Sequence, residues 1–80
     1  MMNKAEKRFT EMAIVKDIYG YIEMRIEDDT RELQYWRKRK AETLEENPEE
    51  DTSYYDNHIE EFTVRISKCE EVAEKLLKLM

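Results

Sequence analysis

The sequence predicts an all-α protein: a long antiparallel helical hairpin, coiled-coil-like, that dimerises into a four-helix bundle. Three observations carry this expectation. Apolar residues recur at alternating steps of three and four along both halves of the chain, the spacing that lets one helix lie lengthwise on another. The spacing is interrupted at the only Pro, Pro48, which follows Asn47. Charged residues make up 42 % of a chain with one Gly and one Pro, which suits long exposed helices and leaves few turn residues for a sheet.

The first helix is expected over about residues 4–45. Its seam is Met12, Val15, Tyr19, Ile22, Ile26, Asp29, Leu33, Trp36 and Lys40. Gly20 costs about 1 kcal/mol against Ala inside a helix. The seam passes it without a phase change, so the helix is expected to continue. Glu27–Thr30 is a second weak point of poor helix propensity, and Asp29 sits on the seam itself.

The turn is expected at about 46–48. Asn47 is a strong N-cap, Pro48 suits the first helical position, and Glu50 completes a capping-box pattern. The second helix then spans about 49–79. A start at Thr52 or Ser53 is the alternative; it lengthens the loop and favours a half-heptad slip. The second seam is Tyr55, Ile59, Phe62, Ile66, Cys69, Ala73, Leu76 and Met80. With the turn at Asn47-Pro48 the seams zip in layers whose residue numbers add to a constant. Lys40 meets Tyr55, Trp36 meets Ile59, Leu33 meets Phe62, and Asp29 meets Ile66. Further down, Ile26 meets Cys69, Ile22 meets Ala73, Tyr19 meets Leu76, and Val15 meets Met80. Arg65 falls beside Asp29, which reads as a register-fixing polar residue at a core position.

Eighty residues make one small domain, 1–80. A chain this short buries only about 60–65 % of its unfolded surface, so a lone hairpin is marginal. The end away from the turn is also apolar on more than one face. Phe9, Met12, Ala13, Ile14, Ile18 and Tyr21 on the first helix join Val72, Leu77 and Leu79 on the second. One hairpin cannot cover that surface, and a second copy is the expected cover. These residues are the expected oligomer or partner interface.

The tip differs. Residues 41–53 hold six acids, Glu42, Glu45, Glu46, Glu49, Glu50 and Asp51, and no Lys or Arg, so the whole net charge of −6 sits there. The acidic tip is a candidate contact for a basic protein surface. The net charge disfavours non-specific binding of nucleic acid or anionic membrane by the molecule as a whole. One local exception is Tyr35–Lys40, where Arg37, Lys38, Arg39 and Lys40 follow two aromatic rings. Trp36 belongs to the seam, so its ring is expected in the core. The four bases are expected to complement the helix C-terminus.

Catalytic constellations are not expected. The chain shows no Gly-rich phosphate loop, no nucleophile–base set and no zinc spacing. A di-iron bundle needs several inward carboxylates and Glu-x-x-His, but Tyr55 stands three residues before His58. Glu23, Glu27, Asp28 and Asp29 have no inward counterpart in the second helix to complete a magnesium site. No metal or cofactor is expected, and His58 reads as a solvated surface residue. Cys69, on the seam, reads as a buried reduced thiol. The polar first residues do not resemble a secretion signal, and no apolar run nears the roughly 18 residues of a membrane span. A cytoplasmic location follows as the expectation. The expected function is a small non-enzymatic protein–protein interaction module: an adaptor, regulator or inhibitor. A nucleic-acid-binding regulator using Tyr35–Lys40 is the alternative.

Overall fold

Asn3 starts the first helix by a reciprocal cap. Its side chain accepts the Glu6 amide at 2.8 Å, and the Glu6 carboxylate accepts the Asn3 amide at 3.4 Å. Two amides that a helix start leaves unpaired are thereby satisfied. From there α1 runs over Lys4–Glu46. It continues through Gly20 and through Glu27–Thr30. In the latter stretch the Thr30 hydroxyl donates to the Ile26 carbonyl at 2.6 Å, so it does not compete with the helix for a backbone amide. Arg31 reaches back one turn to Glu27 at 2.6 Å and to Asp28 at 3.7 Å. Residues 3–80 are described by the computed structural model; Met1 and Met2, part of the expected 1–80 domain, lie outside the described residues.

The turn corrects the sequence expectation. Asn47 does not cap the second helix, which spans Ser53–Leu79 (α2) and not residues from 49. It terminates α1, its amide donating to the Thr43 carbonyl at 2.9 Å. The Asn47 and Glu50 side chains do meet, Nδ2 donating to the carboxylate at 3.0 Å, but they close a tight turn. The Asn47 carbonyl and Oδ1 accept the Glu50 and Glu49 amides. Asp51 then takes both the amide and the hydroxyl of Ser53, at 2.9 and 2.6 Å. Thr52 precedes α2, and its hydroxyl donates to Asp56 at 2.9 Å. The Glu50 and Asp51 carboxylates are engaged in turning the chain, and the helix starts only at Ser53.

This later start brings no half-heptad slip. Lys40 Nζ lies 2.6 Å from Asp56, Trp36 stacks on His58, and Arg65 Nη2 lies 3.4 Å from Asp29. Each contact falls within one residue of the expected layer. α1 overshoots the start of α2 by about one turn, and residues 47–52 run back over that distance.

The hairpin packs its two helices along a single line and measures 66 × 17 × 14 Å. Among the described residues only Leu33 and Ala73, each 8 % exposed, and Asp29, at 5 %, are buried. Ile22, Ile26, Ile59, Phe62, Ile66, Cys69 and Leu76 are half-buried. Two helices share one contact line, so most seam residues keep an open side. α1 has 43 residues and α2 only 27, so the first turns of α1 extend past the end of α2. There the surface around Lys4, Arg8, Phe9 and Met12 is walled by α1 alone. No helix among the described residues is long and apolar enough to cross a membrane.

Candidate functional site

Successive residues of a helix point about 100° apart. Each seam therefore has two flanks, the residues just before the seam positions and the residues just after them. In an antiparallel pair the two "before" flanks emerge on one face and the two "after" flanks on the other. The contacts agree. Trp36 touches Tyr54 and His58, which precede Tyr55 and Ile59. Glu23 and Glu27, which follow Ile22 and Ile26, share a groove with Glu70, Glu74 and Leu77, which follow Cys69, Ala73 and Leu76.

This geometry divides the predicted interface. Ile14, Ile18 and Tyr21 lie on the "before" flank of α1, and Val72 and Leu79 on that of α2. All five are exposed, Leu79 at 67 %. Phe9, Ala13 and Leu77 lie on the opposite flank, with Phe9 76 % exposed, and Met12 stays on the seam. One face of the open end thus carries five exposed apolar residues, with Arg25, Lys68 and Lys75 on the same flank. Its reverse side is mixed: Tyr19, Ile26, Ala73 and Leu77 form the floor of a groove with Glu23, Glu27, Glu70 and Glu74 on its rims. The Tyr19 hydroxyl donates to Glu23, which raises its pKa above the ordinary tyrosine value.

Toward the turn the arrangement is different. Trp36 and His58 stack with ring centroids 4.0 Å apart and planes 6° apart. Tyr35, Tyr54 and Tyr55 set their rings against Trp36 at 5.2 to 6.2 Å. His58 is thus half-buried in an aromatic cluster, and not the expected solvated surface residue. The signal was present in the zip, which places His58 next to Ile59 and so beside Trp36. Trp36 is half-buried, and its Nε1 is enclosed without a hydrogen-bond partner.

The bases beside it are partly engaged. Lys40 holds Asp56, whose carboxyl lies below the ordinary range because Lys40 and the Thr52 hydroxyl bond to it. Arg39 reaches Glu42 at 3.4 Å. Arg37 and Lys38 remain exposed. The expected C-terminal dipole role does not hold. α1 runs on to Glu46 and its last turn contains no base. Of the six tip acids, Glu42 pairs with Arg39, Glu50 with Asn47 and Asp51 with Ser53. The Asp51 carboxyl is held low by the Ser53 hydroxyl and amide. Glu45, Glu46 and Glu49 are exposed.

Between these regions sits Asp29. Arg65 lies beside it as the zip places it, with its guanidinium also 3.6 Å from Glu61 and 5.1 Å from the centre of the Phe62 ring. Asp29 Oδ2 is buried and accepts no hydrogen bond. Among the described residues, no three His, Cys, Asp or Glu side chains converge at metal-binding spacing. No protein-family model matches the chain, and neither a curated protein nor a solved structure shows significant similarity to it.

Proposed function

We propose that the chain is a non-enzymatic protein–protein interaction module, an adaptor, regulator or inhibitor, that works as a homodimer. One observation carries the reading. Ile14, Ile18, Tyr21, Val72 and Leu79 form one exposed apolar face at the open end of the hairpin. Exposed apolar residues gathered on one face and rimmed by charge are characteristic of interaction sites. A hairpin with two buried apolar residues among those described is also short of core. Packing two such faces about a two-fold axis gives each seam a second layer and produces a four-helix bundle. The acidic tips and the surfaces around them then stay accessible to other proteins.

The test is light scattering after size-exclusion chromatography on wild type and on Ile18→Glu with Val72→Glu. The reading expects a dimeric wild type and a monomeric variant whose helical circular dichroism persists near the turn. A wild type that is monomeric at every concentration rules out the homodimer. A variant that remains dimeric moves the interface off this face.

A further inference from the structure

The reverse side of the open end has a different chemistry, and composition does not account for it. Over the same layers, the apolar flank presents Ile18, Tyr21, Arg25, Lys68, Val72 and Lys75, with three bases and no acid. The opposite flank presents Gly20, Glu23, Glu27, Glu70, Glu74 and Leu77, with four acids and no base. Charge is segregated by flank, where a merely acidic chain would scatter it.

The four acids stand along an open groove of about 470 Å³ with an apolar floor. Its floor residues Tyr19 and Ile26 lie two turns apart on α1, and Ala73 and Leu77 lie one turn apart on α2. Glu27 is engaged by Arg31 and Glu23 by Tyr19, but among the described residues no ion pair reaches Glu70 or Glu74. Gly20 adds a separate observation. It precedes Glu23, Met24 and Glu27 by three, four and seven residues, and so shares their face. A Cβ built on it would meet nothing within 4 Å. The hairpin itself therefore has no packing reason for a glycine there, although glycine weakens a helix. The missing side chain leaves room on the groove face for a close approach from outside.

We infer that this groove docks a basic amphipathic helix of a partner protein, its apolar stripe on Tyr19, Ile26, Ala73 and Leu77 and its Lys or Arg residues against Glu70, Glu74 and Glu23. Helix-in-groove recognition of this kind reads apolar anchors at helical spacing, and paired charges set orientation and on-rate. The inference rests on the chain being an interaction module. It does not depend on the dimer, because the groove lies on the face that the dimer leaves open.

The test uses fluorescence anisotropy of a labelled amphipathic helical peptide of Leu and Lys, with a Leu/Glu peptide of the same pattern as control. Wild type is expected to bind the basic peptide and not the acidic one. Glu70→Lys with Glu74→Lys is expected to weaken binding at least about tenfold, since charges aligned across an interface govern recognition. Gly20→Leu separates docking from folding. It is expected to raise the melting temperature, because Leu is the better helix former and the site is open, while reducing binding. Neutralising the exposed tip acids Glu45, Glu46 and Glu49 is expected to leave binding unchanged. Absence of binding by wild type overturns the inference. So does binding that ignores both groove variants, or that falls equally when the tip is neutralised. Light scattering on the same samples covers the remaining occupant: if Glu70→Lys with Glu74→Lys dissociates a wild-type dimer, the groove holds a second copy and the inference fails. A monomeric wild type that still binds the basic peptide through the groove defeats the homodimer alone.

Discussion

The half of the hairpin near the turn and the half at its open end use the same heptad seam but close it differently. Near the turn, contacts across the seam are aromatic or ionic: Trp36 on His58, Lys40 on Asp56, Asp29 with Arg65. Both ion pairs that join the helices, among the described residues, lie in this half. At the open end the seam is mostly apolar, no ion pair crosses it among the described residues, and Ile14, Ile18, Tyr21, Val72 and Leu79 stand exposed on one flank while Phe9 and Leu77 stand exposed on the other. One half joins its helices by aromatic stacking and ion pairs, and the other by apolar packing alone. A small chain can divide its labour this way because a two-helix interface orders a structure without covering it.

The comparison is most exposed to Trp36→Ala. Removing a ring that touches His58, Tyr35, Tyr54 and Tyr55 should cost about 2–3 kcal/mol, below the roughly 3–5 kcal/mol of a fully buried tryptophan. The loss should appear in thermal melts without a change in oligomeric state, since the ring belongs to the self-contained half. An unchanged melt would put the ring outside the fold's support and return Tyr35–Lys40 to consideration as a nucleic-acid contact.

Asp29 and Arg65 mark the boundary between the halves and should respond unequally. Asp29→Leu removes a buried acceptor that has no hydrogen bond, and leaves Arg65 able to reach water and Glu61. It should raise stability by about 1–2 kcal/mol and loosen register or oligomer state. Arg65→Ala strands the buried carboxylate and should lower stability by a similar or larger amount, about 2 kcal/mol. Destabilisation by Asp29→Leu as well would mean the carboxylate anchors a network that the pair alone does not reveal. Asp29 was legible from the sequence as a flaw in a regular seam, and its partner followed from the register.

The seam and its pairing were legible because both helices repeat one spacing over many turns, so a wrong alignment would break many layers at once. The turn was not. Asn47-x-x-Glu50 satisfies the same capping pattern whether it opens a helix or ties a loop, and only the competing demands of Asp51 for Ser53 decide between them. The split of the interface into two flanks was present in the numbering, one residue before the seam or one after. It acquires meaning only when the helices are known to run antiparallel. The same holds for His58: an edge position beside Ile59 reads as solvent-facing in one helix and becomes a stack only once Trp36 is set opposite it.

The smallest expected effect tests the turn. Asp56 has a folded pKa below its ordinary value because Lys40 and Thr52 favour the charged form. A depressed carboxyl contributes stability that is complete above its unfolded pKa, about 3.8, and is lost as pH falls through the lower folded value. Asp56→Asn should therefore melt slightly below wild type near neutral pH, and the gap should close as the pH is lowered past that window. A gap that persists in strong acid would assign the effect to packing and not to the charge.

The division of the hairpin is tested most directly by native-state amide hydrogen exchange on wild type, resolved by segment and followed as the protein is diluted. Exchange reports local opening free energies along one chain. Protection in residues 14–28 and 68–79 is expected to fall with dilution, because in the proposed dimer a second copy would supply their cover by mass action. Protection around 29–40 and 54–66 is expected to stay constant. Protection that is independent of concentration in both halves, or that declines uniformly along α1 and α2, would contradict the claim that only the open end is completed by a partner copy.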